Sequence, residues 1–95
     1  MSNETRHTPG PWTVHGEPHD LCVRAGGSTV AEVIPREARA ANARLIAAAP
    51  ELLEALSQAS DLLHRHMGQY GADELDERGL EVIRAAIAKA TGEVP

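Results

Sequence analysis

"ANARLIAAAPELLEAL", residues 41–56, is a run of strong helix formers with a proline near its centre. Ala, Leu, Arg and Glu lose little freedom in a helix. Pro50 works against them, because it removes one amide donor and its ring clashes with the carbonyl of Ile46. The apolar positions still keep step across the proline. Leu45, Ala49, Leu52, Leu56, Ala59, Leu63, His66 and Tyr70 follow a four-three spacing, and Ile46, Leu53 and Met67 widen the stripe on one side. This spacing predicts a core-facing helix face from Leu45 to Tyr70. Either one helix kinks at Pro50, or one helix ends near Ala48 and a second carries Pro50 in its first turn, where proline is tolerated. Glu51 and Glu54 then lie where the helix dipole favours acids. A break or sharp kink is expected over a straight helix.

Beyond this segment, "GQYGAD" stops the helix at Gly68 or Gly71, and Asp73 is placed to cap the next one. Leu80, Ile83, Ile87 and Ala90 form the stripe of that helix, Gly79 weakens its first turns and Gly92 ends it. Upstream, "TPGPW" sets an extended or turning path into Trp12. Val14 alternates with Trp12, and "GEPHD" reads as a loop. "LCVR" and "STVAEVI" flank "AGG" as the arms of a hairpin, with Trp12–His15 as a candidate third strand. Val30 and Ile34 face one way, Ala31 and Val33 the other, which fits a bulge or a sheet touched on both faces. Pro35 ends the strand. The expected class is α+β: a small N-terminal antiparallel β-sheet (hairpin or three strands), then a Pro-kinked long helix and a second C-terminal helix. Residues 1–10 are expected as a flexible lead and 11–95 as a single α+β domain.

The core available to this fold is small. Ninety-five residues include nine Leu, four Ile and six Val, diluted by sixteen Ala, with one Trp, one Tyr and no Phe. Ala favours helix but buries little area, so a lone chain is marginal and a homo-oligomer is expected. The net charge is −5, all of it carried by residues 50–95, which hold four basic residues against nine acids. Non-specific nucleic-acid binding needs a surplus of positive charge and is not expected. A lone Cys22 excludes an internal disulfide. No apolar run approaches the ~20 residues of a membrane helix, and "MSNETRHTPG" lacks the apolar centre of a signal peptide. No membrane association is expected, and the expected location is a bacterial host's cytoplasm.

Few residues suggest chemistry. His15, His19 and Cys22 have metal-like spacing, but no further ligand completes a tetrahedron. His64 and His66 lie two apart on a helix and point to different faces. Cys22 has no recognisable oxyanion turn or orienting partner, so it reads as a strand residue. The acids at 73, 74, 76, 77 and 81 read as a solvated helix start. No catalytic residue, metal or cofactor is assigned, and no enzyme activity is expected. The best candidate site is an anion-binding junction between sheet and helix. Arg36, Arg39, Asn42 and Arg44 crowd it, Arg24 ends the preceding strand, and a helix start offers free amide donors beside bidentate guanidinium groups. Surface ion pairs of Arg36 or Arg39 with Glu32 or Glu37 are the competing explanation. Trp12 is either the anchor of the core or a stacking surface for a base.

Two stretches, His7-Thr8-Pro9-Gly10-Pro11-Trp12 and Asn42 through Leu56, together resemble a widespread group of small bacteriophage and prophage proteins. That group combines a TPGPW start with an NARLIAAAPELLEAL helix. Its layout is similar to phage counter-defence sponges, small oligomers that sequester cyclic nucleotide or cyclic ADP-ribose immune signals without chemistry. The resemblance implies a structural or stacking role for Trp12, and a place near a protomer interface for Asn42 and Arg44. It implies a phage-encoded, non-enzymatic binding protein for a small anionic nucleotide ligand. The alternative is a protein-binding inhibitor of a host defence protein, anti-CRISPR-like, with an acidic surface that mimics nucleic acid, or a phage structural or interaction protein.

Overall fold

The computed structural model describes residues 7–34 and 36–92. Most of the expected lead (residues 1–6), and Pro35 as the end of a strand, lie outside the described residues. The described residues divide into two compact units, one spanning 8–52 and the other 53–92 together with His7.

The first unit holds a three-stranded antiparallel sheet in the order β1-β2-β3, with β1 Thr13–Glu17, β2 Asp20–Ala25 and β3 Ser28–Val33. The third strand is therefore present. It runs past His15, because Gly16 pairs with Leu21 and Glu17 with Asp20, which shortens the expected GEPHD loop to Pro18-His19. Gly16 makes this possible: its φ is +105°, and any β-carbon there would run into the Asp20 carbonyl. The second hairpin closes over Gly26-Gly27 between Ala25 and Ser28. Gly26 takes φ +60° at the first turn position, as a two-residue hairpin of type II′ requires. Val23 pairs with Ala31 but Arg24 with Thr29, so Val30 is an extra residue, a bulge. That bulge is why alternation fails in this strand.

Helix α1, Arg39–Ala47, lies chiefly against β2. Val23 and Ala43 are fully buried and Val33 nearly so, with Trp12, Leu21, Ala31, Ile46 and Ala47 packed around them. Ala43 lets the helix approach the sheet closely, and burying a valine here contributes about 1.5 kcal/mol or more. The helical signal begins at Arg36 in the sequence, but the helix begins three residues later. Ala38 adopts a left-handed φ of 57° and starts the helix without a side-chain cap.

Pro50 separates two helices. Ala48 N–H donates to Arg44 O at 3.0 Å, and Leu52 N–H donates to Ala48 O at 2.9 Å, so Ala48 both closes α1 and opens α2, Ala49–Tyr70. Pro50 then sits in a first turn, where an amide would have no intrahelical partner. A β-carbon at Gly10 would stand 3.4 Å from Pro50 Cβ, so the TPGPW segment lies against the proline of the helix break. Trp12 Nε1 donates to Thr8 O at 3.0 Å, closing the segment on itself.

The second unit contains the rest of α2 and α3, Glu74–Thr91. Helix α2 runs through Gly68 and ends at Gly71, whose N–H reaches Met67 O at 2.9 Å. Asp73 caps α3 as expected: Asp73 Oδ1 accepts from Asp76 N–H at 2.8 Å, and Asp76 Oδ2 accepts from Asp73 N–H at 3.3 Å. Gly92 closes the helix. Gly79 stands opposite Leu63 of α2, with 3.9 Å between a built β-carbon and Leu63 Cδ2. Leu80 is the one buried hydrophobic of this unit among the described residues.

The stripe of α2 lies at a different rotation from the one read first. Leu53, Leu56, Leu63 and Met67 are half-buried, whereas Leu45 (64 % exposed), Leu52 (48 %) and Tyr70 (71 %) face outward, as does His66. Leu53 and Met67, which seemed only to widen the stripe, join Leu56 and Leu63 of the stripe itself on the inner side. A spacing near 3.5 residues runs equally well through 52, 55, 59, 62 and 66 as through 53, 56, 60, 63 and 67. Only the partner element selects between them.

Candidate functional site: the sheet-to-helix junction of the first unit

The junction is built from the end of β3, the left-handed residue Ala38 and the first turn of α1. Arg39 begins the helix, and its Nη2 donates to Ile34 O at 2.9 Å, which ties the helix start to the end of the strand. Ala38 O accepts from Asn42 N–H at 2.8 Å. No acid stands in the first turn of α1, and among the described residues no side chain caps it. The start of α3 is the opposite case, with Asp73 as cap and Glu74, Asp76 and Glu77 in the first turn. Electrostatically, the start of α1 is therefore the more open to an anion, because no acid within its first turn offsets the dipole.

The six residues of the expected site do not all meet there. Arg36 is exposed in the bend before the helix, Arg39 is half-buried at its first position, and Asn42 is half-buried one turn on. Arg44 is exposed in the last turn of α1, where a cation complements the negative end of the dipole. Arg24 is turned to the opposite end of β3: its Nη2 donates to Gly27 O at 2.8 Å, which braces the hairpin turn. Gly27 and Ile34 are seven residues apart along an extended strand, roughly 20 Å, so Arg24 and Arg39 hold opposite ends of the sheet. Trp12 packs on the core cluster. The junction itself thus gathers Arg36, Arg39 and Asn42.

The other candidates resolve into structural roles. His15 stands opposite Cys22 in the register, but its Nε2 shares a 2.7 Å hydrogen bond with Thr13 Oγ1. His19 lies in the β1–β2 turn. Among the described residues no group of three or more His, Cys, Asp or Glu is arranged to hold a metal ion. The His66 and Tyr70 rings lie 5.1 Å apart at 44°. Asp73 and Asp76 at the start of α3 are occupied with capping, and Glu74 pairs with Arg78 at 3.6 Å. Sequence reasoning missed one concavity. A groove of about 880 Å³ in the second unit is lined by Ser60, Met67, Leu80, Glu81, Arg84 and Ile87. Its signal was small Ser60 on the inner stripe of α2, facing the acid-bearing side of α3. No helix among the described residues is long and apolar enough to cross a membrane.

A protein-family model described as Salmonella phage P22 protein Y8K6 matches residues 1–94, and the chain belongs to that family. The phage origin expected from the two sequence stretches is thereby shown. No curated protein and no solved structure matches the chain.

Proposed function

We propose that this member of the phage P22 protein Y8K6 family is a non-enzymatic counter-defence binding protein. In this reading it is an oligomeric sponge, acting in the host cytoplasm, that holds a cyclic nucleotide-type immune signal at the sheet-to-helix junction. The observation that carries the reading is the start of α1: no side-chain cap and no acid in its first turn, beside Arg36 and Arg39. A phosphate at that point would accept from first-turn amides and from guanidinium N–H groups together. Asn42, one turn further, adds an amide suited to a base or ribose edge. The net charge of −5 does not oppose this, because residues 1–49 balance five Arg against five acids. Sequestration needs affinity alone, so no catalytic group is required.

The test is a thermal-shift and calorimetric panel of cyclic mononucleotides, cyclic dinucleotides and cyclic ADP-ribose. At a hundredfold excess over Kd a ligand stabilises by about 2.7 kcal/mol, a readily measured rise in Tm. Arg36→Ala and Arg39→Ala should each abolish the shift. No shift with any of these compounds retires the ligand reading. The exposed Glu74, Glu77 and Glu81 of α3 support a second reading, a protein-binding inhibitor whose acids cover a basic host surface. A stoichiometric host protein, captured by the wild type and lost on neutralising these three acids, would favour it.

A further inference from the structure

We infer that the outer face of the α2–α3 hairpin is the surface on which a second copy of this chain docks, giving a four-helix dimer. The inference rests on the oligomeric part of the proposed function and names where the copies meet.

Along α2, Ala55, Ala59, Leu62 and His66 repeat at intervals of four, three and four residues. Along α3, Leu75, Gly79, Val82 and Ala86 do the same. This is the spacing of a seam between packed helices. It is a second seam, because α2 already turns Leu53, Leu56, Leu63 and Met67 inward. At about 100° per residue, and with α2 and α3 antiparallel, the two outer series lie on the same side of the hairpin.

Large side chains on this face stand in solvent: Leu62 is 61 % exposed, Leu75 73 % and Val82 64 %, with Tyr70 at 71 % beside them. The alanines between them, Ala55, Ala59 and Ala86, leave room for a helix to come close. The face carries one acid, Glu51, four residues before Ala55, and one base, Lys89, three residues after Ala86, although residues 50–95 carry nine acids against four basic residues. The other acids of α2 and α3 lie off this face and its own two charges offset each other, so two copies meet there without bringing their surplus negative charge together. A strongly basic or acidic partner would find no surplus charge to complement on it. Aromatic side chains cover about 150–250 Å² each and aliphatic ones about 100 Å², so these four residues alone expose roughly 300–400 Å². That approaches the apolar share of the ~800 Å² that each partner gives to a stable interface. Two helices share one seam and cannot cover a second; two hairpins can.

Light scattering and sedimentation on the full chain should give twice the monomer mass of 10.1 kDa, or an even multiple of it. The double variant Leu62→Glu/Val82→Glu should lower the association constant at least a hundredfold. A second readout is independent of that variant's folding. In a Cys22→Ser background, Ala59→Cys should cross-link the dimer on mild oxidation, and Arg84→Cys, on the other side of the hairpin, should not. A concentration-independent single chain of 10.1 kDa overturns the inference. So does an oligomer that survives the double variant and cross-links equally from both cysteine positions. Partition of a monomer onto lipid vesicles also overturns it, assigning the face to a membrane surface. A confirmed dimer that binds no nucleotide leaves this inference standing and retires only the ligand reading.

Discussion

The most discriminating test of the fold is a graded glycine series in the two hairpins. Gly16, Gly26 and Gly27 are chemically identical and differ only in what the structure asks of them. Gly16 combines φ +105° with a position where a β-carbon meets the Asp20 carbonyl. Alanine there takes a backbone conformation costing ~1–3 kcal/mol. It also forces the Asp20 backbone aside, for a further ~1–3 kcal/mol by analogy with overpacking. The sum is about 2–6 kcal/mol. Gly26 has φ +60° but open space around it. Alanine there meets only the left-handed penalty of ~1–2 kcal/mol, partly offset by ~0.4–1 kcal/mol of lost unfolded-state freedom. Gly27 has no such φ and nothing within 4 Å, so Gly27→Ala should be neutral or stabilise by up to ~1 kcal/mol. A chain of this length has a total stability of about 5–14 kcal/mol, so Gly16→Ala removes a large share of it. Equilibrium urea unfolding followed by fluorescence reads the right unit, because Trp12, the only tryptophan, packs on its core. With m near ~1.5 kcal/mol/M, the Gly16→Ala midpoint should fall by about 1.5–4 M and that of Gly26→Ala by less than ~1 M. Equal midpoints for Gly16→Ala and Gly27→Ala would refute the β1–β2 register and the reasoning built on it.

Further tests probe the rest of the chain. Val23→Ala removes two methyl groups' worth of fully buried side chain and should cost about 2–3 kcal/mol with its cavity; Val14→Ala, at a partly exposed site, should cost under ~1 kcal/mol in the same urea assay. Asp73→Ala should destabilise α3 by ~1 kcal/mol and lower helicity by circular dichroism, while Asp73→Asn, still a good cap, should cost only a few tenths. Pro50→Ala should leave stability within ~1 kcal/mol of wild type, because a first-turn proline interrupts no hydrogen bond; a gain near ~3 kcal/mol would mean that Pro50 strains a helix interior.

Much of the local structure was legible. Asp73 and Gly92 bound the last helix because a carboxylate accepts from free first-turn amides and glycine enters the left-handed region cheaply. Gly26-Gly27 marks the hairpin for the same conformational reason. The proline inside a helical run announced the break at Ala48. Gly16 was harder: within GEPHD it read as a loop residue, since its strand pairing depends on the Asp20 backbone across the turn. The bulge at Val30 left a trace, failed alternation, but not its position. Of the candidate site, Arg36, Arg39 and Asn42 lie at the junction, whereas Arg24 braces the Gly27 turn and Arg44 faces solvent at the other end of α1. Sequence proximity could not separate these, because a guanidinium at the end of a long flexible side chain goes where a carbonyl accepts it.

The sequence by itself determined the order of the elements, their caps and turns, the helix break and the phage lineage, because each depends on dihedral preferences or short motifs acting over a few neighbours. Tertiary structure alone decided which side of α2 turns inward and which cations share a site. Helical spacing states that a stripe exists, but two stripes one residue apart satisfy the same period. The choice between Leu52 and Leu53 belongs to whichever surface the helix packs against.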